Sequence, residues 1–156
     1  MREEVTALLE NRNELLTITY FKIQELFDKK YGENALVLME IGTFFEVYEV
    51  NNEKEKIGKA KEIAELLNIQ LTRKNKSILE NSKENPIMAG VPAISFEKHL
   101  ARIIAEQKYT IAIIRQKGTP PNVSRYLDVV VSPGTNFDFV VEQDDTFRTS
   151  IVRDLG

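Results

Sequence analysis

The sequence predicts an α/β fold in which a mixed β-sheet is packed with helices. Three observations carry this. Segments with apolar residues at helical spacing alternate with short runs rich in β-branched and aromatic residues, in the order helix, two strands, helix, strand, helix, two strands. Two of the runs, Tyr109–Ile114 and Tyr126–Val131, are apolar almost without interruption, the pattern of strands covered on both faces. A chain of 156 residues that is 42% hydrophobic and 29% charged is also long enough to bury a core.

Residues 5–30 place Val5, Leu8, Leu9, Leu16, Tyr20, Ile23, Leu26 and Phe27 at helical intervals, with a break near Asn11–Asn13 left open. Tyr31-Gly32-Glu33-Asn34 ends that segment. Ala35–Ile41 and Phe44–Val50 are strand-like runs joined through Gly42-Thr43, a tight connection, and Asn51-Asn52 makes the next turn. Ile57, Ala60, Ala64 and Leu67 form one stripe of a helix over 54–67. Residues 69–73 form a short strand, 74–86 a polar loop, and Ile87–Pro92 an apolar passage broken by Gly and Pro. Ser95 stands where an N-cap belongs, ahead of a helix carrying Phe96, Leu100, Ile103 and Ile104. Gly118–Pro121 is a loop, and Pro133-Gly134 suits a type II turn. The pattern weakens after Thr135, which reads as a domain over 1–136 followed by the start of a connector, 137–156, within something longer.

The chemistry available is narrow. With no cysteine there are neither disulfides nor thiolate metal sites. No apolar run reaches membrane-spanning length and the start lacks a secretory signal, so a cytoplasmic protein is expected. No phosphate loop, nucleophile elbow or His-Glu-x-x-His occurs, and His99, the single histidine, has no partner at metal or triad spacing. A net charge of −3 is unlike that of a self-sufficient DNA binder, so any binding by the chain alone should be weak and steeply salt-dependent. The charge is uneven: residues 70–78 hold Arg73, Lys74 and Lys76 without an acid, and acids gather in Asp138, Glu142, Asp144 and Asp145.

Two constellations remain. Glu40, Glu46 and Glu49 are the carboxylates that a metal-dependent nuclease would need, although strand alternation points Glu49 away from Glu46. Phe44 and Glu46, two apart on a strand, project together from one face, while Phe45 and Val47 suit the buried face; on this reading Phe44 and Glu46 share the face that holds the charge. An aromatic in such a position is more often core than contact.

The order of motifs changes that balance. Ile41-Gly42-Thr43-Phe44-Phe45-Glu46-Val47-Tyr48 resembles the Met-Gly-Asp-Phe-Tyr-Glu-Leu-Phe signature of the mismatch-recognition domain of MutS proteins. Ala60–Lys74, ending Leu-Asn-Ile-Gln-Leu-Thr-Arg-Lys, resembles that family's Leu-Leu-Asp-Ile-Ser-Leu-Thr-Lys-Arg, Met88–Pro92 its Met-Ala-Gly-Ile-Pro, Ile113–Gly118 its Ile-Cys-Glu-Gln-Ile-Gly, and Val130–Thr135 its Ile-Val-Thr-Pro-Gly-Thr. The five motifs stand in the family's order, and the resemblance as a whole covers residues 17–136. Thr43 in place of the usual acid, Ala93-Ile94-Ser95 after the third motif, a longer 74–86 loop and Arg115 in place of Glu mark a divergent branch.

The resemblance implies a module for duplex DNA with mismatches or small loops. Phe44 would be the wedge that stacks on a mispaired base from the minor groove, and Glu46 would accept a hydrogen bond from that base. Ile41 would flank the wedge, and Arg73 and Lys74 would position the backbone. It implies no catalytic residue, metal or cofactor in this stretch, since ATP and Mg belong to other domains of the full-length protein. It also implies a monomer for this part and a dimer for the whole. The alternatives are a divergent MutS paralogue domain that binds other DNA structures or proteins, and the nuclease.

Overall fold

The computed structural model describes residues 1–134; the connector expected at 137–156 and its acidic cluster lie outside them. Two helices open the chain, α1 (Arg2–Glu10) and α2 (Leu16–Tyr31). They divide the segment over 5–30 at the break left open near Asn11–Asn13. The Asn11 side chain accepts the Asn13 backbone N–H, offering the chain an alternative to the helical bond, and the backbone at Asn11 is extended.

The strands are β1 (Ala35–Ile41), β2 (Phe44–Asn51), β3 (Lys56–Gly58), β4 (Thr72–Arg73), β5 (Ile87–Pro92), β6 (Thr110–Lys117) and β7 (Ser124–Val131). Between them lie α3 (Ala60–Leu67) and α4 (Phe96–Ile104), the latter entered through a 3-10 turn at Ala93–Ser95. The strands form one sheet ordered β4-β5-β2-β1-β6-β7, with β3 also on β2. β1 and β6 are parallel and the other pairs are antiparallel, so the sheet is mixed. No described helix is long and apolar enough to cross a membrane.

Three local expectations are corrected. The helix expected over 54–67 begins only at Ala60, because Asn52 accepts the N–H groups of Lys54 and Glu55, closing a hairpin whose return strand is β3. Gly58 (φ 93°) lets β3 approach β2: a Cβ there would stand 2.2 Å from the Tyr48 carbonyl oxygen. The strand expected over 69–73 shrinks to Thr72–Arg73. Ser95 does occupy the N-cap of α4, but its hydroxyl donates to the Pro92 carbonyl and leaves the helix uncapped.

Both faces of the sheet are covered. On one, Leu36, Leu38, Phe45 and Val47 meet α3 and α4 through Ile63, Phe96, Leu100 and Ile103. On the other, Val37, Met39, Tyr48, Val50 and Ile114 meet α2 through Tyr20, Phe21 and Phe27. The face of Phe44 and Glu46 is thus not a charged, solvated one. Further along β2 it becomes core, because Tyr48 and Val50 share its alternation.

Candidate nucleic-acid interface

Phe44 opens β2 at the tip of the β1–β2 hairpin. Gly42, at φ 61°, and Thr43 are the two central turn residues, the arrangement of a type II′ turn whose twist suits a two-residue hairpin. Ile41 pairs with Phe44 across the hairpin, and Phe44 pairs with Pro92 of β5 on its other side. Cross-strand partners share a face, so Ile41, Phe44 and Glu46 project together. Phe44 is 43% exposed and Ile41 half-buried. Ala93 donates its N–H to the Thr43 carbonyl at 2.7 Å, which brings Ile94, 98% exposed, to the same tip. The end of the sheet is therefore apolar and open.

Glu46 differs from its neighbour: it is only 8% exposed. The Tyr48 hydroxyl, two residues on along the same face, donates to Glu46 Oε1, and Lys74 Nζ lies 3.2 Å from the same oxygen. Both bonds land on Oε1, leaving Oε2 without a hydrogen bond among the described residues. Burial first, and then the Glu46 carboxylate beside it, push the Tyr48 hydroxyl above its usual range, so it stays a proton donor. Lys74 Nζ also sits 5.4 Å from the centre of the Tyr48 ring. Gly90 is the cross-strand partner of Glu46; a Cβ there would lie 3.5 Å from Glu46 Cγ and 3.9 Å from Phe44 Cδ1. A bare backbone at this point keeps the strip beside Phe44 low.

Arg73 and Lys74 are adjacent in sequence but part in space. Arg73 pairs with Ile87, which pairs with Glu49, so it belongs to the face opposite Glu46. Its guanidinium donates to the Lys76 carbonyl, and its buried Nε has no partner among the described residues. Lys74 is spent on Glu46 and Tyr48 rather than standing clear of the surface. The three carboxylates of the nuclease reading do not converge. Glu40 accepts the Gln116 backbone N–H, and Glu49 accepts the Lys61 N–H and so caps α3 from a neighbouring strand. Among the described residues no cluster of His, Asp or Glu could hold a metal ion. His99 lies half-buried on α4, its imidazole held below its usual range by burial and by Lys98.

A model of the family described as MutS domain I matches residues 20–140. The chain belongs to the MutS domain I family. Over 143 residues it is 30% identical to a mutS homolog of Acanthamoeba polyphaga mimivirus, covering 91% of this chain and 12% of that protein. Over 135 residues it is 28% identical to the DNA mismatch repair protein MutS of Lactococcus lactis subsp. lactis strain IL1403, covering 83% of this chain and 14% of that protein. The MutS of subsp. cremoris strain MG1363 matches to the same extent. The chain thus spans 12% to 14% of the length of these relatives.

In this MutS domain I the residues around the Phe44–Glu46 pair are the ones that sequence reasoning missed. Tyr48 had a legible signal, since a hydroxyl two residues from a carboxylate on a strand falls on its face. The meeting of Lys74 with Glu46 had none, because it crosses 28 residues of chain. The same holds for Gln116 and Arg125, which reach the hairpin from β6 and β7.

Proposed function

We propose that this chain inspects duplex DNA for mismatches and small loops in mismatch repair, with Phe44 as a wedge that stacks on a mispaired base from the minor groove. The observation that carries this reading is Phe44 itself: a large aromatic left 43% exposed at the rim of a sheet whose other aromatics on that strand are buried. A base stacked on an aromatic ring gains about 1–3 kcal/mol. Opening a base step costs on the order of a few kcal/mol. The two nearly cancel in paired DNA, and a mismatch, already poorly stacked, tips the sum toward binding.

Glu46 supplies discrimination. Its free Oε2 accepts a hydrogen bond from the mispaired base, while Lys74 offsets its charge among phosphates. Ile41 flanks the wedge. Arg73 meets the backbone, and Lys74 adds to that field when the duplex is near. The recognition unit covers residues 1–136 and residues 137–156 lead to a following domain. It works in the cytoplasm, needs no metal or cofactor of its own, and is not an enzyme. ATP, Mg and dimer formation belong to the rest of a full-length protein, and the part itself is a monomer.

The test is binding of the chain, at low salt, to labelled duplexes with and without a mismatch. Phe44→Ala should abolish the preference for the mismatch and leave paired-duplex affinity within about twofold, because stacking and not charge is removed. An unchanged preference in Phe44→Ala would refute the wedge.

A further inference from the structure

We infer that Gln116, braced by Arg125, is a positioning residue that clamps the β1–β2 turn and so fixes the direction from which Phe44 meets DNA. The inference rests on the reading of Phe44 as the wedge and adds what holds it.

The turn needs holding. The parallel pairing of β1 with β6 ends at Met39 and Ile114, so the tip stands beyond the sheet's own hydrogen bonds on that side. Its first central residue, Gly42, has the widest backbone freedom of any residue type, and a Cβ there would meet nothing within 4 Å among the described residues. Packing therefore does not restrain it.

Gln116 does. Its side-chain Nε2 donates to the Gly42 carbonyl at 2.6 Å, and its Oε1 accepts the Gly42 N–H at 3.3 Å. A carboxamide presents one donor and one acceptor side by side, which matches the N–H and C=O of a single residue. Gln116 is itself fixed twice. Its backbone N–H donates to Glu40 Oε1 at 3.0 Å, and Arg125, its partner in the β6–β7 register, donates from Nη2 to its Oε1 at 3.3 Å. Arg125 Nε also donates to the Glu40 carbonyl at 2.9 Å, tying the clamp to β1. From the other side the Ala93 N–H holds the Thr43 carbonyl. The two residues before Phe44 are thus anchored to opposite neighbours.

A wedge must push a base step open. If the turn yields, ordering it on contact takes back part of the stacking gain, and a mismatch is no longer told apart so sharply. A turn ordered beforehand delivers the whole gain to the base. Loss of the clamp should therefore lower mismatch preference more than paired-duplex affinity, which depends on charge.

The experiment combines amide exchange with DNA binding in the same chain. Gln116→Met keeps the length and apolar stem and removes both bonds; Gln116→Glu keeps only the acceptor. Arg125→Lys keeps the charge and loses the fork. Gly42 exchange should quicken about tenfold in Gln116→Met, less in the other two, with Ile111 and Ile113 unchanged as the mark of an intact sheet. Mismatch preference should drop about fivefold or more in Gln116→Met, with paired-duplex affinity within about twofold. Unchanged Gly42 exchange would overturn the clamp. Faster exchange with full preference, while Phe44→Ala abolishes it, would overturn the positioning role and leave the wedge standing. No preference in the parent chain would remove the wedge reading and this inference together.

Discussion

Tyr48→Phe is the most informative single change at the site. It deletes one hydroxyl and keeps the ring, which is fully buried and packs edge-on against Tyr20 at 4.8 Å. What is lost is the bond to Glu46 Oε1, a charged acceptor in a residue 8% exposed, together with the bond the hydroxyl accepts from Lys74 Nζ at 3.2 Å. Hydrogen bonds to charged groups contribute about 1.5–3 kcal/mol. Lys74 remains at 3.2 Å but is 38% exposed at its side chain, so it compensates only in part. The expected loss is about 2 kcal/mol, or about 6 °C in Tm for a domain of this size. Thermal unfolding followed by circular dichroism measures it, in a cycle with Glu46→Gln and the double variant. The coupling between the two positions should be about 1 kcal/mol or more. The loosened carboxylate should also weaken mismatch preference. Coupling below about 0.5 kcal/mol would show that the hydroxyl does not hold Glu46, and the account of the site would fail with it.

Alkaline pH should destabilise the fold. Burial pushes the hydroxyls of Tyr20 and Tyr48 above their usual range, so the unfolded chain releases these protons first, near pH of about 10. The stability they contribute is whole below that pH and is lost as pH rises toward the folded values, by about 1.4 kcal/mol per pH unit for each tyrosine. Urea midpoints that agree at about pH 9 and about pH 11 would contradict this. Gly58→Ala should cost at least about 2 kcal/mol, from a left-handed backbone and a Cβ driven against the Tyr48 carbonyl. A denaturation midpoint equal to the parent's would mean that β3 does not approach β2 so closely.

Much of this protein was readable from residue order. The alternation of periods set out an α/β chain, and the uninterrupted apolar character of Tyr109–Ile114 required helices on both sides of the sheet. Strand alternation put Phe44 and Glu46 on one face, and the ordered motifs pointed to the family and, through it, to Ile41 beside the wedge. These are local or one-dimensional properties, so they survive without coordinates. Burial along a strand is not such a property. Phe44 lies at an open rim and Glu46 lies under its neighbours because the rim ends between them, and only the placement of α2 and β5 decides where it ends. Arg73 and Lys74 read alike in sequence, yet edge pairing sends them to opposite faces. The partners that hold the site, Lys74 on Glu46 and Gln116 on Gly42, are separated from it by 28 and 74 residues. Their meeting depends on sheet order, which brings β4 and β6 to the two sides of one hairpin, and no periodicity encodes it.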